Sequence, residues 1–265
     1  MKRVCKSPAL DTWQDYVRLN PDATWEQARD GRATFDCRVQ AVQDQYGLCA
    51  YCEQKIAADD SLRCHIEHFH QKSDEDGKHN WGLDWGNMFA VCDGGSYRSH
   101  SPHEGRKIHP LPENLSCDAY KNHMVLEKEL PVACEGHLLN PLDIPSFPNL
   151  FALNKGTGHL KPDEEACATV EIPRNACGTT AELVNRTIAV LNLNCERLAE
   201  KRRELVVDID QNKKVLRKKN YSPAEVPKQL VRRYLSDKWP EFFTTLRCLI
   251  GAEAESYLES VNYQG

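Results

Sequence analysis

Apolar positions along this chain change period several times, and each change predicts a different local structure. In the first 48 residues, Thr12-Trp13 starts one helix, Asn20-Pro21 and Asp22 interrupt it, and Thr24 with Gln27 forms a capping box for a second. From Thr34 to Tyr46 the apolar residues Phe35, Val39, Val42 and Tyr46 recur at helical spacing, so a third helix leads into Gly47-Leu48-Cys49. Residues 93–116 are rich in Gly, Ser, Pro and His without apolar periodicity, which predicts a long surface excursion. Between 137 and 162, Pro141, Pro145, Pro148, Gly156, Gly158 and Pro162 punctuate short apolar runs, a pattern of strands and turns.

Helical period returns after Thr180. Val184, Ile188, Leu191, Cys195, Leu198, Leu205, Ile209 and Leu216 fall on one stripe, with Arg202 and Asn212 completing the register and Asn220 and Pro223 ending it. Two further helices, about 224–237 and 240–260, carry Leu230, Tyr234, Phe242, Phe243, Leu246, Leu249, Ile250 and Leu258 as core candidates. The stripe either packs on them or offers an apolar face to a partner. The expected class is α+β, a small mixed core in a mainly α-helical body. The expected segments are a helical 1–47, a core at 48–125, a strand- and turn-rich connection at 126–180 and a helical 181–265.

Charge narrows the picture only slightly. With 34 Lys and Arg against 39 Asp and Glu, the net −5 gives no global attraction to nucleic acid, so phosphate contacts require local patches or a partner. The runs Lys201-Arg202-Arg203, Lys213-Lys214, Arg217-Lys218-Lys219 and Arg232-Arg233 are either such a track or solvated helix faces. No segment approaches the roughly 20 apolar residues that span a bilayer, and no apolar run follows Met1-Lys2-Arg3-Val4-Cys5-Lys6. The chain therefore reads as soluble and cytoplasmic, without membrane contact. In that setting its twelve cysteines read as reduced thiols. Cys5, Cys37, Cys64, Cys134, Cys167, Cys177, Cys195 and Cys248 are expected to be small, mostly buried apolar side chains.

The chemistry concentrates between Leu48 and Lys121. Cys49-x-x-Cys52 has the gap that lets two sulfurs reach one Zn²⁺, and Cys92 and Cys117 are the candidates to complete a structural tetrahedron. The excursion separates those two, so His100, His103 or His109 remains open as the fourth ligand. Between the cysteines lie His65-Ile66-Glu67-His68-Phe69 and Trp85-Gly86-Asn87-Met88, and Cys117 opens Cys117-Asp118-Ala119-Tyr120-Lys121. Strand alternation would put His65, Glu67 and Phe69 on one face and Ile66 and His68 on the other.

In this order the residues resemble the HNH endonucleases, and among them are most similar to the PtuB effectors of bacterial Septu and retron anti-phage defence. That pattern runs C-x-Y-C-E, H-I-E-H-F, W-x-N-hydrophobic, C and C-D-x-x-K, covering residues 48–121, with fainter echoes at Asn140-Pro141 and Leu191-Asn192-Leu193-Asn194. The resemblance implies a ββα-metal nuclease core with His68 as general base and Asn87 as the brace of the loop around it. Glu67 and Asp118 would be hard ligands for Mg²⁺ or Mn²⁺, Asp118 standing where many HNH enzymes have His or Asn. Lys121 matches the closing lysine and is either a phosphate ligand or a solvated helix residue. His65 is either metal-site support or merely hydrogen-bonded. Trp81 and Trp85 read as core aromatics rather than base-stacking platforms. The resemblance further implies a nucleic-acid substrate, a PtuA-type ATPase partner and, in some systems, a retron reverse transcriptase with its RNA and DNA. The competing reading is a non-catalytic zinc ribbon that binds a partner, which would need no Glu67, His68, Asn87 or Asp118.

Overall fold

The computed structural model describes residues 1–74, 79–96, 109–236 and 239–265, so most of the expected excursion, with His100 and His103, lies outside the described residues. Three helices come first: α1 (Asp11–Leu19), α2 (Trp25–Ala28) and α3 (Arg32–Asp44). The capping box forms, with the Thr24 amide donating to Gln27 Oε1 at 2.8 Å. The inward face of α3 departs from the expected stripe. It buries Thr34, Cys37 and Ala41, while Phe35 and Tyr46 are 36% and 54% exposed. Close packing of α3 on α1 and on a β-strand selects small side chains over large ones.

That strand belongs to a hairpin-like pair. β1 (Cys64–His68) runs antiparallel to β2 (Met88–Cys92), with Cys64 opposite Cys92 and His68 opposite Met88. Helix α4 (Cys117–Leu126) packs on β2. A second antiparallel pair, β3 (Phe151–Asn154) and β4 (His159–Pro162), occupies the stretch read as strands and turns, and a short α5 (Glu164–Ala168) follows it.

The long stripe is not one helix. α6 (Thr180–Val190) and α7 (Glu196–Lys218) are separated by a turn in which Asn192 is left-handed, φ 45°. Tertiary hydrogen bonds impose the break: Asn192 Nδ2 donates to the carbonyls of Glu113 and Leu115, both at 2.8 Å. Asn194 pairs through its side chain with both backbone groups of Leu160. Asn tolerates this backbone region better than other non-glycine residues. The last expected helix is also divided. After α8 (Glu225–Tyr234), α9 (Phe243–Ile250) and α10 (Ala252–Ser260) meet at Gly251, whose φ of 77° suits glycine.

Mixed helices and two small sheets thus make an α+β molecule. The apolar stripe turns inward, with Val184, Leu198 and Ile209 fully buried, whereas Val207 and Val215, off the stripe, are exposed. A second apolar cluster joins Leu48, Ile209, Leu230, Phe243, Leu246 and Leu258. Polar contacts fasten the same region to the Cys49–Cys52 turn: the Phe242 amide donates to the Glu53 carbonyl at 3.1 Å, and the Thr244 amide to Glu53 Oε2 at 2.9 Å. All twelve cysteines are free thiols; of the eight outside the motif, Cys5 is exposed, Cys177 and Cys248 are half-buried and five are buried. Among the described residues no helix is long and apolar enough to cross a membrane.

Leu230→Ala should cost about 2–5 kcal/mol of stability through the cavity it leaves, measurable by denaturant titration. Deleting 222–265 would uncover Leu48 and Ile209, so the truncated chain should lose its cooperative thermal transition. A stably folded 1–221 fragment would show instead that the terminal helices are an appended docking module.

Candidate metal centre and hydrolytic cleft

Four sulfurs meet in the interior. The Sγ atoms of Cys49, Cys52, Cys92 and Cys117 lie within 4.8 Å of one another and all four residues are buried. Individual separations are 3.8 Å for Cys49–Cys117, 3.5 Å for Cys52–Cys92 and 3.7 Å for Cys92–Cys117. A tetrahedron with metal–sulfur bonds of about 2.3 Å has edges of about 3.8 Å, so this donor set fits one Zn²⁺-sized ion. Burial, followed by contacts with the other three thiols, pushes the Cys117 thiol well above its ordinary value. Against burial, hydrogen bonds from those thiols pull Cys49 well below. One thiolate forms readily and further ones are opposed, an imbalance that a bound cation removes.

The backbone explains how distant cysteines converge. The Cys49 amide donates to the Gln54 carbonyl at 2.8 Å and the Glu53 amide to Cys49, with Glu53 left-handed at φ 63°, closing a tight knuckle. Gln45 clips that knuckle to β2, its amide bonding both backbone groups of Ala90 at 2.6 and 2.9 Å. After Cys92 the chain leaves and returns beside Gly94, whose carbonyl accepts from the Ser116 amide at 2.9 Å. A Cβ on Gly94 would meet the Ser116 carbonyl oxygen at 2.3 Å, so this approach requires glycine. Cys117 itself is left-handed, φ 56°, and its amide donates to Leu191 in the α6–α7 turn. His109 is elsewhere, 3.1 Å from Glu200, and takes no place in the cluster.

Two arginines of α7 approach the sulfurs from behind. Arg197 donates to Gln54 Oε1 at 2.8 Å and Ser116 Oγ at 2.7 Å. Burial disfavours its cation, and the charges of Cys195, Cys52, Cys92 and Cys117 more than offset that. Arg202, expected on a surface run, is instead 1% exposed and donates to the Leu193 carbonyl at 2.7 Å. Its place in the register of the apolar stripe accounts for this burial, which its neighbours in the basic run do not share. Gln45, Arg197 and Asn192 carry no motif, and only the echo at 191–194 hinted at the last.

Beside the sulfurs opens a cleft of about 550 Å³ bordered by His65, Ile66, Glu67, His68 and Asp118. The expected alternation holds: His65 and Glu67 reach Asp118 and Lys121 of α4, with the Phe69 ring beside Lys121, whereas His68 meets Gly82 and Trp25, and the cleft takes in residues of both faces. His65 Nε2 lies 2.9 Å from Asp118 Oδ2, and Asn122 Nδ2 donates to Oδ1 at 2.8 Å. Burial opposes the Asp118 charge, but hydrogen bonds from His65 and Glu67 hold its carboxyl well below the usual range. Glu67 moves the other way: burial and then the Asp118 charge push its carboxyl well above, although Lys121 opposes them. The two acids form one unit in which Asp118 favours its carboxylate, while burial and the Asp118 charge resist ionisation of Glu67 and Lys121 favours it. Their oxygens suit a hard cation, a class that commonly keeps water in its shell.

His68 is buried, and Nε2 lies 3.1 Å from the Gly82 carbonyl. A carbonyl only accepts, so Nε2 carries the proton and Nδ1 keeps the lone pair. Burial lowers the His68 pKa to about 4, so the ring is neutral near pH 7. Asn87 reaches across the following loop: its Oδ1 accepts from the His70 amide at 2.7 Å and its Nδ2 donates to the His70 and Trp81 carbonyls at 2.9 Å. Trp81 stacks on His70 with ring centres 3.8 Å apart, and Trp85 lies under Lys6.

Lys121 corrects the reading from spacing. It is completely buried, and Nζ donates to Glu67 Oε1 at 2.5 Å, the His68 carbonyl at 2.8 Å and the Phe69 carbonyl at 2.7 Å. All three donors are used, so it can be neither a phosphate ligand nor a solvated residue. It locks the end of β1 to α4.

No protein-family model matches the chain. It is 36% identical over 211 residues, 78% of this chain and 79% of the other, to an Escherichia coli protein named "Retron Ec83 putative HNH endonuclease". The protein is a nuclease. It belongs to the HNH endonucleases of retron type.

Purified protein should contain about one metal ion per chain by elemental analysis, and Cys49→Ser and Cys92→Ser should lose it together with thermal stability. Arg197→Ala should weaken metal retention roughly 10- to 100-fold in a chelator competition, as loss of supporting groups around a site does. Lys121→Met should destabilise the fold by about 3–5 kcal/mol, because it leaves Glu67 buried without its partner. A stable Lys121→Met with only weaker nucleic-acid affinity would restore the phosphate role.

Proposed function

We propose that the chain hydrolyses phosphodiester bonds of nucleic acid from a metal-dependent HNH core of ββα-metal type, formed by β1, β2 and α4. In this reading Cys49, Cys52, Cys92 and Cys117 hold a structural Zn²⁺. Glu67 and Asp118 hold the catalytic Mg²⁺ or Mn²⁺, which when bound offsets charge on the attacked phosphate and leaving oxygen. His68 is the general base: its neutral ring, oriented by the Gly82 carbonyl, takes the proton of the attacking water at Nδ1. His65 orients the Asp118 carboxylate, and Asn87 fixes the loop that carries Gly82.

The observation that carries this reading is one cleft holding a neutral, oriented imidazole next to a carboxyl pair. A zinc ribbon that only binds a partner requires none of these groups. We further propose a role as toxic effector in cytoplasmic anti-phage defence, with a PtuA-type ATPase and a retron reverse transcriptase with its RNA and DNA as partners; the relative's name supports the retron link. The free chain should accordingly be a weak nuclease that those partners activate.

The test is incubation with DNA and with total RNA in Mg²⁺, with and without the neighbouring gene products. His68→Ala should lower cleavage by about 10²–10⁴-fold with the fold and zinc retained. Asp118→Ala and Glu67→Gln should act through metal affinity, and Asp118→Ala should recover partly at high Mn²⁺. Undiminished cleavage in all three variants would sink the assignment.

A further inference from the structure

The cleft has a second wall that supplies no hydrolytic group. Trp25 and Arg29 at α2, Phe35 and Arg38 on α3, and Lys72 after β1 line it alongside the acids and His68. Phe35 is 36% exposed there, with the Arg32 and Arg38 guanidinium carbons 5.5 and 5.3 Å from its ring centre. Trp25 meets the His68 ring edge-on at 4.5 Å, and Lys72 Nζ lies 5.8 Å from the Trp25 ring. The Nε of Arg38 is buried and has no hydrogen-bond partner. Lys72 is held by Glu26 at 2.9 Å, an exposed pair of the kind that contributes little and exchanges readily.

Cations interleaved with open aromatic faces are the chemistry of unpaired nucleotides: phosphates take the cations, and flat bases take the rings. A space of about 550 Å³ is of the size that holds small ligands, roughly 300–1,000 Å³. It suits a nucleotide or two. A duplex offers only base edges in its grooves and could not lay a base on Phe35 without unstacking it.

We infer that this wall is the substrate-binding surface for an unpaired nucleic-acid strand. Arg29, Arg38 and Lys72 hold its phosphates, and Phe35 stacks a base beside the Glu67–His68–Asp118 centre. The inference rests on the endonuclease reading and adds the substrate class to it.

The test is fluorescence anisotropy of the full chain carrying His68→Ala, so that the probe survives, titrated onto fluorescein-labelled ten-nucleotide DNA, RNA and duplex probes. Single strands should bind more tightly than the duplex, and the DNA and RNA arms decide which sugar is preferred. Phe35→Ala should weaken single-strand binding at least about fivefold, the lower end of what loss of one stacked base costs. Arg29→Ala, Arg38→Ala and Lys72→Ala should each reduce the slope of log affinity against log salt by about 0.7. Lys214→Ala, outside the cleft, should change neither. Because Arg38 is half-buried, Arg29→Glu with Lys72→Glu serves as a second variant at exposed positions, with metal content and melting transition checked. Tighter duplex binding, no binding of any strand, or unchanged affinity and salt slope in the cleft variants would overturn the inference. Cleavage persisting in His68→Ala while the cleft variants lose binding would overturn the catalytic assignment instead.

Discussion

Four buried sulfurs within 4.8 Å of one another are the constraint that organises this molecule. They come from a knuckle after α3, the end of β2 and the start of α4, segments with no other reason to share a point. Their meeting sets β2, and β1 paired with it, against α4, and together with the Lys121 and His65 contacts this places Glu67 and His68 in the same cleft as Asp118. The convergence is held against resistance. Cys117 and Glu53 adopt left-handed backbone, each at a cost of about 1–3 kcal/mol, and burial opposes thiolate formation at Cys117. Metal binding and folding of this region are therefore one thermodynamic event, since the energy that offsets both costs is that of the metal–sulfur bonds.

Much of this was legible wherever a local rule had no tertiary competitor. The knuckle spacing, the Thr24–Gln27 capping box and the β3–β4 strands follow from backbone chemistry that acts within a few residues. Errors arose where distant contacts outweighed local pattern. Phe35 and Tyr46 have helical spacing but lie off the packed face of α3, where closeness to α1 and β2 favours Cys37 and Ala41. The α6–α7 stripe keeps its period across a turn because Leu191 and Cys195 remain buried on both sides of it. Hydrophobicity cannot report that Asn192 is bonding carbonyls 79 and 77 residues upstream in the chain.

The site shows the same division. Motif order brought together the residues that bear chemistry, because metal ligands and bases are restricted to few residue types. Their supports are not so restricted. Gln45, Arg197 and Asn192 act through amide and guanidinium hydrogen bonds that many surface residues could make, so nothing in their identity marks them.

Cations give the clearest case, and charge accounts for it. Four thiolates around one divalent ion leave two net negative charges, and Glu67 and Asp118 lie close by. Lys121 and Arg202 are buried and Arg197 half-buried among these groups, with all three Lys121 donors and terminal guanidinium donors of Arg197 and Arg202 engaged on carbonyls, an amide, a hydroxyl and a carboxyl. A cation committed in this way stabilises the centre but cannot also capture a phosphate, since releasing it would strand a buried charge. Cations that meet substrate must instead be hydrated and weakly paired, as Lys72 with Glu26 is. In a chain of net charge −5, the number of donors already spent, more than the number of basic residues, decides which lysines and arginines remain for nucleic acid.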